Sequence, residues 1–164
     1  MTELGVLKRL AVVAAVFLGA VSYVAYIRLG FAGQVPDLNP LGASEAQILA
    51  FRDALGFEGR ELFNGTYRPL DFGFLLCMTA LLALVARLLR PRRFWWLVLT
   101  FGLGFGLADL TENTLMAQMI NAEPNDRQGQ LAAQINLATR VKFAALCLAG
   151  AAAITSWRQG DPRA

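Results

Sequence analysis

The chain has 164 residues, 56% of them hydrophobic and only 16% charged, with a mean hydropathy of +0.47. That composition is too apolar for an ordinary soluble domain, and the length too short for more than one compact unit, so a single all-α membrane domain over 1–164 is expected. The net charge of +3 does not point to nucleic acid, because Lys and Arg sit at segment ends and form no basic face. With no histidine and only Cys77 and Cys147, zinc, haem and histidine-based catalysis lack their usual groups, and neither a metal nor a cofactor is expected.

Crossing an apolar core of about 30 Å takes roughly 20 helical residues. Four stretches meet that length, at about 8–30, 70–90, 94–120 and 134–157. The first begins like a secretory signal, with Lys8 and Arg9 ahead of an apolar run. Apolar residues continue to Ile27, however, past the usual signal core of about 7–15 residues, so this helix is expected to be retained.

The segment of about 31–69 is read as a short extracytoplasmic unit. "VPDLNPLG" reads as extended turn structure, because each proline biases its predecessor away from the helical region. "SEAQILAFRDALG" then opens with a capping box, Ser44 and Gln47, and closes at Gly56. Ile48, Phe51 and Leu55 share one face, which predicts an amphipathic helix on the membrane surface or over the bundle, as packing or as a lid. Pro69 is expected to open the second span at its first helical position, with Asp71 complementing the dipole there. Asn64-Gly65-Thr66 matches a glycosylation sequon, which is discounted because the Ala, Leu and Arg bias looks bacterial. Spans two and three should form a tight hairpin through "RPRR".

Orientation follows from the basic residues. Lys8, Arg9, Arg87, Arg90, Arg92, Arg93, Arg158 and Arg163 would all lie on one side, which the positive-inside rule makes cytoplasmic. Both termini are then inside a bacterial inner membrane, with Trp95, Trp96 and Trp157 as its cytoplasmic aromatic belt. On the other face Arg28, Arg52, Arg60, Arg68 and Arg127 are accompanied by Asp37, Glu45, Asp53, Glu58, Glu61, Glu123 and Asp126.

The third span departs from plain membrane helix in "GLGFGLADLTENTLMAQMI". At 100° per residue Gly102, Gly106, Asp109, Asn113 and Met116 form a stripe roughly 80° wide, with Glu112 about 40° beyond its edge. Gly102 and Gly106 have the GxxxG spacing that lets a helix approach closely, so the stripe should face the bundle or, as an alternative, a partner protein or second copy. At about 1.5 Å per residue, Asp109 lies about 21 Å beyond Trp95 and Lys142 about 22 Å beyond Trp157. The carboxylates are therefore expected to meet cations at their own level, because an unpaired charge there costs about 2.5 kcal/mol or far more. Arg140 and Lys142 point about 160° apart, so both cannot serve one carboxylate. Lys142 is assigned to Asp109 and Glu112, and Arg140 to Asp71 or Asn136. Neither cysteine has a base to activate it, and both are read as core residues.

Three functions compete. In the preferred one, a pocket in the outer half binds an amphiphilic or lipid-like molecule, with chemical modification of that molecule as its extension. Asp109, Glu112 and Lys142 would be its acid and base groups, and Asp71, Asn113, Asn136, Thr139, Arg140 and Met116 would line it, with cations holding an anionic head. The alternatives are a non-catalytic subunit or assembly factor, whose polar cluster is structural, and a proton-coupled transporter or ion pathway. For the last, the inner half offers only Thr100, Thr79 and Ser22 as polar stations.

Overall fold

The computed structural model describes residues 3–33, 35–88, 94–122 and 127–159. Expectations concerning the RPRR turn, Glu123, Asp126 and Arg163, and the side chains of Asp37 and Trp157, fall outside what is described. The described chain is all-helical, without a strand. Its helices are α1 (Glu3–Tyr23), α2 (Glu45–Leu62), α3 (Arg68–Leu88), α4 (Trp95–Asn121) and α5 (Gln128–Gln159). Three stretches, Glu3–Arg28, Glu45–Leu88 and Gln128–Ser156, are long and apolar enough to cross a membrane. At 27 residues α4 is equally long, and its polar run of Asp109, Glu112 and Asn113 explains why it is not among them.

Between 45 and 88 the helical boundaries differ from expectation. Ser44 caps α2 with the expected box: its Oγ accepts from Gln47 N and its own N–H donates to Gln47 Oε1 at 2.8 Å. Gly56 breaks the helix, with φ 58 and ψ −164. From there the backbone stays helical into α3 through a π turn, Phe63–Tyr67, whose carbonyl at Phe63 accepts from Arg68 N. Pro69 therefore does not start a span. The wide turn just before it relieves the crowding that a proline ring causes in a regular helix, and Asp71 does not sit at a free helix N-terminus.

The packing order is α1 on α3, α3 on α4, and α4 on α5, the last pair being the most extensive. Substantial packing between α1 and α5 is absent among the described residues, so the expected four-helix bundle is open along one seam. Glycines permit the close crossings. A Cβ on Gly73 would meet the Phe17 ring, one on Gly102 would meet Leu82, and one on Gly106 would lie 2.8 Å from Thr79 Oγ1. The Gly102/Gly106 face is thus covered by α3, inside the bundle as the GxxxG spacing predicts, and does not form the alternative surface for a partner or second copy.

Two apolar cores result. The outer one joins Ile48, Phe51 and Leu55 of α2 to Leu29, Phe63, Tyr67, Met116, Met119, Ile120 and Ile135. α2 therefore caps the bundle's end by packing. The inner core holds Leu75, Leu82, Phe105, Ala145 and Ala149. Cys77 is half-buried and Cys147 is exposed, so the expectation of a core residue fails for Cys147.

A loop clasps this cap to α5. Arg140 Nε donates to Leu41 O at 2.9 Å, and Asn39 Nδ2 donates to Gly42 O at 2.6 Å. Gly42 has φ +80, and a Cβ there would lie 1.7 Å from Asn136 Oδ1. Gly42→Ala should therefore lower the denaturation midpoint in detergent, costing about 1–3 kcal/mol. Gly30→Ala, at a position with open space around it and no positive φ, should leave the midpoint unchanged.

Candidate functional site

Between the two cores lies a polar layer. On α4, Asp109 and Glu112 are one turn below Met116 and one turn above Phe105, and on α5 Thr139 and Lys142 lie between Ile135 and Ala145. Helical periodicity puts all four at the α4–α5 contact. Asp109, Glu112 and Lys142 are 3%, 1% and 6% exposed. Lys142 Nζ lies 2.9 Å from Asp109 Oδ1 and 2.5 Å from Glu112 Oε2, and Thr139 Oγ1 donates to Glu112 Oε1. The ammonium thus bridges both acids, as the depth argument required.

The same layer extends onto α3. Asn113 Nδ2 donates to Asp71 Oδ2 at 2.6 Å, and both residues are buried. Asp71 is therefore joined to the α4 amide, which corrects its pairing with Arg140. Arg140 is exposed and engaged at Leu41 O, because its face of α5 meets the clasping loop. Asn136 lies under Gly42, away from the layer, with no hydrogen-bond partner for its Oδ1. Met116 is a member of the outer apolar core and borders the layer from that side as an apolar wall.

Sequence reasoning missed two features, the pairing of Asp71 with Asn113 and the burial of Arg52. Thr79, one of the inner polar stations it named, has its Oγ1 buried on the α3–α4 seam without a hydrogen-bond partner. Arg52 is buried on the inward face of α2, bonded to Asp53 Oδ1 through Nε at 2.8 Å and Nη2 at 2.5 Å. Only Arg52 had a local signal, its spacing of four from Ile48 on the apolar face.

The buried charged side chains among the described residues are Arg52, Asp71, Asp109, Glu112 and Lys142. Within the layer, three carboxyl groups accompany one ammonium. Two further acceptors, Asp109 Oδ2 and Asn113 Oδ1, are buried without a hydrogen-bond partner, a costly condition unless a donor joins them. The two acceptors suit a hydrogen-bond donor or a positive group, while the buried nitrogens without a partner among the described residues, Arg52 Nη1, Arg60 Nε and Arg68 Nε, belong to α2 and the start of α3. Lys142 is committed to two acids and Arg140 to the loop, so the expectation of cations holding an anionic head is corrected.

α2 closes the layer from the outer end. A cleft of about 210 Å³ beside Gly33, Asn39, Gln47 and Phe51 lies on that cap, and a groove of about 600 Å³ runs between α4 and α5 over Gly104, Ala108 and Ala138. Comparison with protein-family models, with curated proteins and with solved structures gave no match for this chain.

Proposed function

We propose that the chain is a small four-span protein of a bacterial cytoplasmic membrane, with both termini inside, and that its polar layer binds the donor-bearing head of an amphiphilic, lipid-like molecule. Four stretches, 10–27, 72–86, 95–108 and 143–157, contain no charged residue. Their outward side chains are large and apolar, among them Val12, Val16, Phe72, Leu76, Leu103, Leu107, Leu148 and Ile154. An apolar exterior around a charged interior is the pattern a bilayer selects. Exposed aromatic residues mark both ends, Trp95 and Trp96 at one and Tyr23, Tyr26, Phe31 and Phe57 at the other.

The observation that carries the binding reading is the pair of buried acceptors without partners, Asp109 Oδ2 and Asn113 Oδ1, beside three carboxyl groups. Such a set favours a primary amine or a hydroxyl-bearing head over a carboxylate or phosphate. Access would come by movement of the cap, which meets the following helix at the non-helical Gly56. A relay across the membrane finds little support, since Thr100 is exposed and Ser22 lies on α1 at the far edge of the row.

The test is a thermal shift of the protein in nonionic detergent, with dodecylamine against dodecanoate. Dodecylamine should raise the melting midpoint and dodecanoate should not, and Asp109→Asn should reduce the amine effect several-fold. Equal responses to the two probes, or an amine response untouched by Asp109→Asn, would favour a purely structural network, as in a non-catalytic subunit.

A further inference from the structure

We propose that a groove between the inner ends of α3 and α4 binds one anionic phospholipid. The groove, of about 430 Å³, is lined by Ala83, Ala86, Arg87, Trp95 and Leu99. Two alanines and a leucine make an apolar floor, because small side chains recess the surface between flanking helices. At its mouth stand a guanidinium and an indole, the two groups that meet a phosphate at a membrane boundary. Arg87 is 73% exposed and meets Glu3 Oε1 through one Nη at 3.1 Å, so most of its five donors face outward.

Charge selects the lipid. From Phe72 to Ala108 the sequence holds four arginines, of which Arg87 lines the groove beside Glu3, and no acidic residue, so this stretch of chain carries a positive excess that favours an anion, at about 1 kcal/mol for each basic residue near a membrane surface. The site lies across the inner core from the polar layer and does not depend on what that layer binds. It does rest on the chain lying in a membrane.

Protein in nonionic detergent is equilibrated with phosphatidylglycerol or phosphatidylethanolamine of identical chains, and retained lipid is counted by native mass spectrometry. Phosphatidylglycerol should be retained preferentially. Arg87→Gln should weaken its retention about fivefold and leave phosphatidylethanolamine unchanged. Ala83→Phe, which fills the floor, should weaken both. Glu3→Gln, which removes the acid beside Arg87 and no positive charge, should strengthen phosphatidylglycerol retention, and it decides the matter even if Arg87→Gln folds poorly. Equal retention of the two lipids, or an Arg87→Gln protein indistinguishable from the parent, overturns the site. A chain released into the aqueous phase by alkaline extraction overturns instead the membrane reading beneath it.

Discussion

Lys142→Met should cost the fold about 3–5 kcal/mol, the loss seen when one member of a buried ion pair is removed. The reason is local. Lys142 Nζ sits 2.9 Å from Asp109 Oδ1 and 2.5 Å from Glu112 Oε2, in a layer closed above by Met116 and Ile135 and below by Phe105 and Ala145. Without the ammonium, two carboxyl groups on adjacent turns of α4 face one another with no neutralising partner on α5. The check is the midpoint of unfolding in detergent, which should fall far more for Lys142→Met than for Val141→Ala on the exposed side of the same turn. The triple variant Asp109→Asn, Glu112→Gln, Lys142→Met should regain most of the lost stability, because replacing a whole buried charge set by neutral groups of like volume is often neutral or favourable. That triple variant also separates the two roles of the layer. If it binds, the stable neutral protein no longer responds to dodecylamine. If it is structural alone, the triple variant responds to dodecylamine as the parent does.

The meeting of Lys142 with Asp109 and Glu112 was legible in sequence for a geometric reason. A helix fixes depth and bearing together, at about 1.5 Å and 100° per residue, so two antiparallel helices with known inner ends place their charges on a common scale. The all-helical class followed from composition in the same way. What escaped depended on backbone irregularity or on loops crossing in space. The π turn at Phe63–Tyr67 carries the helix past Pro69, so α3 does not begin at the proline, and Asp71 lies level with Asn113. No residue-level signal announces such a turn. Arg140 found its acceptor at Leu41, 99 residues away, a contact set by how the 39–42 loop folds across α5. The stripe on α4 was drawn correctly as a surface and wrongly as a unit. Gly102 and Gly106 pack on α3, Asn113 bonds α3, Asp109 joins α5, and Met116 enters the apolar core. A wheel gives bearing; it does not say which neighbour occupies it.

The sharpest consequence for the molecule's surroundings lies on the reverse side of the same turn. Leu107 is 68% exposed, among Leu103, Leu110, Leu137 and Val141, all outward-facing near the level of the buried charges. In water such a residue is a liability, and Leu107→Lys would improve solubility at little cost, within about 0.5 kcal/mol for an exposed site. In a bilayer the same change exchanges a favourable side chain for one that costs about 2.5–3.5 kcal/mol near the helix centre, a swing of about 3–4 kcal/mol against insertion. Leu107→Ala should be nearly silent in either medium. We expect Leu107→Lys to reduce the fraction of chain that resists alkaline extraction from membranes by tenfold or more, with Leu107→Ala at the parental level. The two media predict opposite signs for one substitution, so a more soluble, fully folded Leu107→Lys protein would mean that the apolar shell faces something other than lipid, and the membrane placement of the polar layer would go with it.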